Sequence, residues 1–265
     1  MIKAIQNQVL IKADFLLERD EIEPESVDLI LMDPPYGVLR GAQPWDVPPN
    51  YHVLAWKFSD QLKSSGQIIT FANFKTAVAI EAAFAPYFAF RFNLTWKKSS
   101  ALNRNHSRPA MDSEMILVYQ RLGVAEKKLT FNYDAIRTPG KPFKKKGGRS
   151  QNENPTLKAG GNMPEIYENE DGRRYPRTVL EYPNKPGMPV QERTSHPTQK
   201  PIGLLEYLLR GFSNPGDLIL DPFAGSGSTL VACHNLGRRG IGFERDDGFF
   251  DLAVDRLESE IGLQV

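Results

Sequence analysis

A chain of 265 residues with 40% hydrophobic residues, 25% charged residues and a net charge of +1 has the composition of a soluble globular protein with a sizeable core. It contains no apolar run of about 18 residues and no signal-peptide core, which predicts a cytoplasmic protein without a membrane span. The single cysteine, Cys233, excludes an intramolecular disulfide framework and is read as a buried helical residue, and the scattered histidines predict no metal site.

The first part of the chain alternates strand patterns with helix patterns. Apolar runs predict strands at residues 9–13, 26–32, 67–72, 91–96 and 114–120. Helical spacing of apolar residues predicts helices at residues 51–64 and 74–84. Strands that alternate with helices are typical of a mostly parallel sheet that is covered by helices on both faces.

An acidic residue directly follows the second predicted strand. In LILMDPPYG, Asp33 precedes Pro34, Pro35 and Tyr36. Proline has no N–H and keeps the preceding residue out of the helical region, so this turn is stiff and its carbonyls stay outside a helix. A carboxylate, free carbonyls and an aromatic ring suit a flat ligand that donates N–H groups. A loop in which Tyr36 only packs is the alternative, and it is preferred for an isolated Asp-Pro-Pro.

The middle of the chain is basic. Residues 121–200 hold 16 Lys and Arg against 9 Asp and Glu, a balance of +7. From 121 to 195 the sequence is rich in Gly, Pro and Lys and has little periodicity, which predicts an inserted module. Such a charge block indicates a surface that faces a polyanion, and a solvated insertion is the alternative.

The last part of the chain is regular again. It predicts a strand at 217–222, a tight turn, a helix at 228–237, a strand at 238–244 and a helix at 249–261. Only 38 residues follow Gly227, too few for the rest of a doubly wound sheet. The missing strands must therefore come from the first third of the chain, with the basic block inserted between the two ends.

The turn in this last part has the features of a nucleoside site. Gly225 and Gly227 allow close approach of a ligand to the backbone at a helix N-terminus. Glu244 lies 19 residues after Gly225 and can accept hydrogen bonds from ribose hydroxyls. Asp221 favours an amine or a sulfonium over a pyrophosphate. A dinucleotide fingerprint would need a third glycine where Leu230 stands.

The motifs DPPYG, Trp45-Asp46, HPTQKP (196–201) and FAGSGST (223–229), in this order, resemble the β class of S-adenosylmethionine-dependent DNA amino-methyltransferases. The resemblance covers most of the chain and is weakest over 121–195. It implies a Rossmann-like methyltransferase fold: a mostly parallel seven-stranded sheet with one antiparallel strand, assembled from both ends of the chain. The predicted domains are a catalytic half at 1–120, a basic target-recognition region at 121–195 and a cofactor-binding half at 196–265.

The resemblance also implies the residues of a site. The catalytic loop would comprise Asp33, Pro34, Pro35 and Tyr36. S-adenosylmethionine would be bound by Asp14, Asp221, Phe223, Gly225, Gly227 and Glu244, with Thr198 and Lys200 near its methionine end. The basic block adds expected contacts to the phosphates of double-stranded DNA at Lys144, Lys145, Lys146, Arg149, Arg173 and Arg174.

In a member of this family, Asp33 and the Pro34 carbonyl would each accept an N–H of an exocyclic amine, so that the nitrogen lone pair points at the sulfonium methyl. Tyr36 would stack on a base that has left the duplex. Asp at the first position of the motif usually accompanies adenine N6, which predicts a site-specific adenine-N6 methyltransferase.

Several alternatives remain at the level of sequence. An N4-cytosine enzyme is the nearest of them, and methylation of RNA or of a free base is a variant. A nicotinamide-dependent enzyme and an inert nucleic-acid-binding module belong to other classes. The resemblance suggests a homodimer and leaves a partner restriction endonuclease open.

Overall fold

The computed structural model describes residues 1–18, 22–38, 43–102, 107, 109–146 and 166–262. They form two compact units: Met1–Asn132 with Thr178–Val265, and Tyr133–Arg177. Within the described ranges, no helix is both long and apolar enough to cross a membrane.

The described part of the chain contains eleven strands and five α-helices. The strands are β1 (Ile2–Ile5), β2 (Gln8–Lys12), β3 (Val27–Met32), β4 (Leu62–Ala72), β5 (Phe88–Leu102), β6 (Met111–Arg121), β7 (Phe143–Lys146), β8 (Ile166–Asn169), β9 (Val179–Tyr182), β10 (Leu218–Asp221) and β11 (Arg239–Glu244). The helices are α1 (Tyr51–Gln61), α2 (Phe74–Phe84), α3 (Ile202–Phe212), α4 (Ser228–Asn235) and α5 (Asp247–Ile261).

The first unit is built on a nine-stranded sheet with the order β1-β2-β11-β10-β3-β4-β6-β5-β9. The strands from β2 to β4 in this order are parallel, and β6 is antiparallel to both of its neighbours. The seven inner strands, which run from β2 to β5 in this spatial order, therefore form the predicted sheet with one antiparallel strand. The predicted count of seven is too low because β1 and β9 add an edge strand at each side.

The sheet is assembled from both ends of the chain, as predicted. Strands β10 and β11 lie between β3 and β2, and Ile219 of β10 pairs with Leu29 of β3. The side chains of β3 explain its apolar sequence, because Ile30 packs with α1 and α2 on one face while Leu31 packs with α3 and α4 on the other. Cys233 is buried in α4, as expected.

Local sequence sets where most helices begin. The side chain of Asn50 accepts hydrogen bonds from the first N–H groups of α1, and Asn73 does the same for α2. The prediction that the first helix continues to residue 64 is wrong. Leu62 is extended (φ −77°, ψ 131°) and pairs with Val27, so strand β4 begins there.

The second unit, Tyr133–Arg177, contains the antiparallel pair of β7 and β8. Arg137 binds the carboxylate of Asp171 with two nitrogens, at 2.7 and 2.8 Å. This unit is shorter than the range 121–195 in which an inserted module is predicted. Residues 121–132 and 178–195 belong to the first unit, because Asn132 binds the end of α3 and β9 pairs with β5.

Candidate active site

A cavity of about 490 Å³ opens in the first unit at the carboxyl ends of the central parallel strands. Its wall includes the acidic residues Asp14, Asp33, Asp221 and Glu244, which follow or end β2, β3, β10 and β11. Ligands of open α/β sheets bind at this edge of the sheet. The fold thus brings together acids that are far apart in the sequence.

The loop after β3 is held in place by the side chain of Asp46. One carboxylate oxygen of Asp46 accepts hydrogen bonds from the backbone N–H groups of Tyr36 (3.1 Å) and Gly37 (2.9 Å). Gly37 has φ +68°, a left-handed conformation that favours glycine. Pro34 is buried, whereas Asp33 and Tyr36 are half-buried and line the cavity. Asp46 of the Trp45-Asp46 pair therefore clamps the DPPYG turn.

Asp33 belongs to a cluster of charged side chains. Lys200 Nζ lies 2.5 Å from Asp33 Oδ2 and 3.4 Å from Glu114 Oε1. The other oxygen of Glu114 pairs with Lys98 Nζ at 2.8 Å. The hydroxyl of Tyr36 lies 2.6 Å from Glu114 Oε1 and 2.9 Å from Asp33 Oδ1. The sequence predicts Lys200 near the methionine end of a cofactor, and in the structure its ammonium binds Asp33.

The cluster sets the protonation of its members. Burial raises the pKa of Asp33, and Lys200 opposes this effect. Burial also acts to raise the pKa of Glu114, but Lys200 and Lys98 hold it below its ordinary value. Burial and the two carboxylates raise the pKa of Tyr36 well above its ordinary value, so its hydroxyl keeps its proton. Glu114 is thus the stronger acid of the pair and Asp33 the better proton acceptor.

Lys200 remains a cation despite being only 8% exposed. Burial acts to lower its pKa, yet Asp33 and Glu114 together raise it. Its Nζ also lies 4.9 Å from the ring centroid of Phe71 and 5.9 Å from that of Trp96, distances at which aromatic faces attract a cation.

The turn between β10 and α4 is held by Glu244 and contains two left-handed glycines. Glu244 Oε2 accepts a hydrogen bond from the N–H of Gly225 at 2.9 Å, and Oε1 accepts one from Asp246 at 2.8 Å. Gly225 (φ +51°) and Gly227 (φ +73°) have left-handed conformations, and a Cβ on Gly225 would lie 3.0 Å from His196 Nε2. Burial raises the pKa of the Glu244 carboxyl.

The remaining predicted cofactor residues lie around the same cavity. Asp221 Oδ1 accepts a hydrogen bond from Phe223 N–H at 3.0 Å, and burial raises the pKa of Asp221 to about 7. Asp14 Oδ1 accepts one from Leu16 N–H at 3.0 Å, and its Oδ2 lies 3.2 Å from an Arg245 nitrogen. The cavity lining contains all of the predicted cofactor residues except Gly227: Asp14, Thr198, Lys200, Asp221, Phe223, Gly225 and Glu244.

The HPTQKP segment forms one wall of the cavity. The ring centroid of His196 lies 4.2 Å from that of Phe249 and 5.8 Å from that of Trp45. Burial lowers the pKa of His196 to about 4, so the imidazole is neutral at pH 7. Within the described ranges, no group of three or more His, Cys, Asp or Glu side chains could hold a metal ion.

The expected phosphate contacts fall in the second unit. The backbones of Lys144, Lys145 and Lys146 lie on β7, and Arg149 lies outside the described residues. The Arg173 guanidinium donates to the carbonyl of Asp134, and that of Arg174 donates to the carbonyls of Gly172 and Lys141. The two arginines therefore also hold the unit together.

Sequence reasoning missed Glu114 and Lys98. Glu114 begins a predicted strand, and Lys98 lies just beyond the end of another, so neither position carries a local signal of function. They meet because β5 and β6 pair in the register that joins Trp96 to Glu114. Only the register of a long antiparallel pair could have revealed this contact.

Residues 27–255 match a family model, N6_N4_Mtase, described as DNA methylase. The chain is 29% identical to the type II methyltransferase M.HpaI of Haemophilus parainfluenzae, covering 96% of this chain and 75% of that protein. It is 27% identical to the DNA adenine methyltransferase YhdJ of Escherichia coli (strain K12), covering 95% of this chain and 83% of that protein.

A solved structure is similar as well. The crystal structure of the M1.HpyAVI–SAM complex has a TM-score of 0.55 and 25% identity and covers 88% of this chain and 89% of that chain. These similarities confirm the predicted family and methyltransferase fold. The family model matches most of the length of this chain, so the chain belongs to the N6/N4 DNA methylase family.

Proposed function

We propose that this protein is a site-specific DNA methyltransferase that transfers a methyl group from S-adenosylmethionine to the N6 of adenine. One observation carries the proposal: a single cavity is lined both by the Asp33–Tyr36 loop and by Gly225 and Glu244. The name of the relative YhdJ, a DNA adenine methyltransferase, supports adenine. The family model includes N4 in its name, so N4-cytosine is the second candidate.

The acids of the cavity fit S-adenosylmethionine, which supplies a methyl group on a positively charged sulfur. Glu244 can accept hydrogen bonds from ribose hydroxyls, because a carboxylate has about four lone-pair sites and the backbone N–H groups of Gly225, Arg245 and Asp246 do not use all of them. Asp221, close to the glycine turn, would attract a cationic group and become ionised as that group binds. Asp14 would lie near the adenine of the cofactor, and Phe223 belongs to the proposed cofactor loop.

Asp33 and the Pro34 carbonyl are proposed to act on the target amine. Each would accept one N–H, and the nitrogen would then present its lone pair to the methyl carbon. As the N–CH₃ bond forms, the S–CH₃ bond breaks. The electron pair of the S–CH₃ bond stays on sulfur, and the nitrogen becomes positive. Asp33 would then take the released proton, a role that suits a carboxylate with a raised pKa.

Double-stranded DNA is the proposed polymer substrate. The net positive block at 121–200 favours a polyanion, and the second unit, Tyr133–Arg177, is our candidate for target recognition. Lys144, Lys145 and Lys146 are the proposed phosphate contacts of that unit. A homodimer remains an expectation from the family resemblance, and a partner restriction endonuclease remains open.

The test is methyl transfer from labelled S-adenosylmethionine to duplex DNA, single-stranded DNA and RNA, followed by digestion and chromatography of the nucleosides. We expect label in N6-methyladenine from duplex DNA. Label in N4-methylcytosine would support the second candidate, and label only in RNA or in no polymer would refute the proposal. Asp46→Asn, which weakens the clamp on the DPPYG turn, should lower transfer without changing which base is labelled.

A further inference from the structure

In the structure, both oxygens of Asp33 already have partners. Lys200 Nζ lies 2.5 Å from Oδ2, and the Tyr36 hydroxyl lies 2.9 Å from Oδ1. Each oxygen has a further lone pair, but a buried cation at that distance withdraws electron density from the carboxylate and weakens it as an acceptor for an incoming N–H. Asp33 becomes a stronger acceptor for the target amine when another group takes over at least part of the interaction with Lys200.

Glu114 contacts the same two partners. Its Oε1 lies 2.6 Å from the Tyr36 hydroxyl and 3.4 Å from Lys200 Nζ. The Tyr36 hydroxyl has one proton and can donate it to only one carboxylate at a time, and Glu114 is the nearer acceptor. For Lys200, a shift of about 0.6 Å would bring the contact with Glu114 to the ordinary length of a charge-assisted hydrogen bond.

We infer that Glu114 is a positioning residue that takes over Lys200 and Tyr36 from Asp33 when the target amine binds, and so strengthens Asp33 as the acceptor of the amine N–H. This inference rests on the proposed methyl transfer. Lys98, bound to the other oxygen of Glu114 at 2.8 Å, holds that carboxylate in place. The Phe71 and Trp96 rings keep the Lys200 ammonium in the space that both carboxylates can reach.

The charge balance of the cluster supports this role. Two lysines face two carboxylates, and removing one partner of a buried pair leaves the other poorly compensated. Without the charge of Glu114, Lys200 would pair with Asp33 alone and hold it more firmly. The titratable groups that interact with Asp33 from the surrounding elements are Tyr36, Tyr51, Glu114, Lys200 and Asp221, and Lys98 faces Glu114.

The two neighbours of Asp33 have opposite expected effects. Glu114 repels the Asp33 carboxylate and raises its pKa, so Glu114→Gln should lower the pKa of Asp33. Lys98→Met should leave Glu114 more available to Lys200 and so raise the pKa of Asp33. These shifts follow from the charges alone, so the rates must separate the two roles. A merely structural role of the Glu114–Lys98 pair in joining β5 to β6 would lower the rate by a similar factor in both variants, whereas the inference predicts the larger loss in Glu114→Gln.

The experiment measures single-turnover methyl transfer to duplex DNA as a function of pH for the wild type, Glu114→Gln and Lys98→Met. The matched control is Glu81→Gln, because Glu81 also accepts from a tyrosine hydroxyl (Tyr119, 2.9 Å) but lies on α2. We expect Glu114→Gln to lower the rate about 10- to 100-fold, as for the loss of a group that orients a site residue, with cofactor affinity unchanged. The acidic limb of the profile should move to lower pH for Glu114→Gln and to higher pH for Lys98→Met.

A second measurement does not depend on activity. Carbon NMR of labelled aspartate in the DNA-free protein should show a lower pKa of Asp33 in Glu114→Gln, and an unchanged value would overturn the inference. A wild-type rate in Glu114→Gln would overturn it too, as would a loss of cofactor affinity equal to the loss of rate. If Glu114→Gln does not fold, Glu114→Asp is measured instead. This variant keeps the charge but places it one methylene farther from Lys200 and Tyr36, and it must show the lower rate. A wild-type protein that transfers no methyl to DNA would instead refute the proposed function.

Discussion

Replacing Glu244 by Gln tests the proposed cofactor site. Glu244 accepts the N–H groups of Gly225 (2.9 Å) and Asp246 (2.8 Å), one on each oxygen. A carboxylate has about four lone-pair sites, so it can also accept from a ribose hydroxyl. In Glu244→Gln an amide NH₂ replaces one oxygen and can no longer accept there. Losing a hydrogen bond of a buried polar group costs about 1–3 kcal/mol, which is roughly a 5- to 150-fold weaker affinity.

The assay is titration calorimetry with S-adenosylmethionine and with its demethylated product, on protein whose folding is checked by thermal unfolding. Glu258→Gln on the exposed side of α5 is the control for a change of charge near this end of the chain. Both ligands should bind more weakly to Glu244→Gln, because the ribose is common to them. Unchanged affinity in a folded variant would remove Glu244 from the site.

Three further predictions concern other parts of the chain. Changing all three lysines at 144–146 to Ala should flatten the slope of log K against log salt on duplex DNA by about 0.9 for each phosphate that is no longer bound, and an unchanged slope would make this strand a solvated one. Burial raises the pKa of Asp221 to about 7, so the folded protein holds this proton more tightly than the unfolded chain does. The protonated Asp221 carboxyl therefore contributes fully to the stability of the fold below about pH 4, and this contribution is lost as the pH rises through 7. Asp221→Asn should therefore reduce the fall in Tm between about pH 5 and pH 8 in calorimetry, and an equal fall would contradict this assignment. Gly225→Ala should weaken cofactor binding in calorimetry, because the new Cβ would meet His196 Nε2 at 3.0 Å in a backbone with φ +51°.

Much of the fold follows from local sequence. The apolar run of β3 and the glycine turn after β10 carry their own signals, and the small number of residues after that turn indicates a sheet built from both ends. Helix α3 was not predicted, although Leu204, Leu208 and Phe212 have helical spacing and are buried. The edge strands β1 and β9 are only 4 residues long, too short for an apolar pattern to identify them.

The site was only partly predictable for a different reason. Asp33 and Glu244 are recognisable because each lies in a motif with a fixed local geometry. The positions of Glu114 and Lys98 depend on how β5 and β6 pair, and register is a property of the assembled sheet. The contact of Lys200 with Asp33 joins residues that are 167 positions apart, so local sequence does not encode it.

The central claim is that Asp33 acts on the target amine, and the most direct test is Asp33→Ala. Lys200 keeps Glu114 as a partner in this variant, so the protein should fold. Single-turnover methyl transfer to DNA and binding of S-adenosylmethionine are measured on the same preparation. We predict a loss of rate of about 100- to 1000-fold, as for removal of one preorganised catalytic group, with cofactor affinity retained. A near-normal rate, or an equal loss of cofactor binding, would contradict the claim.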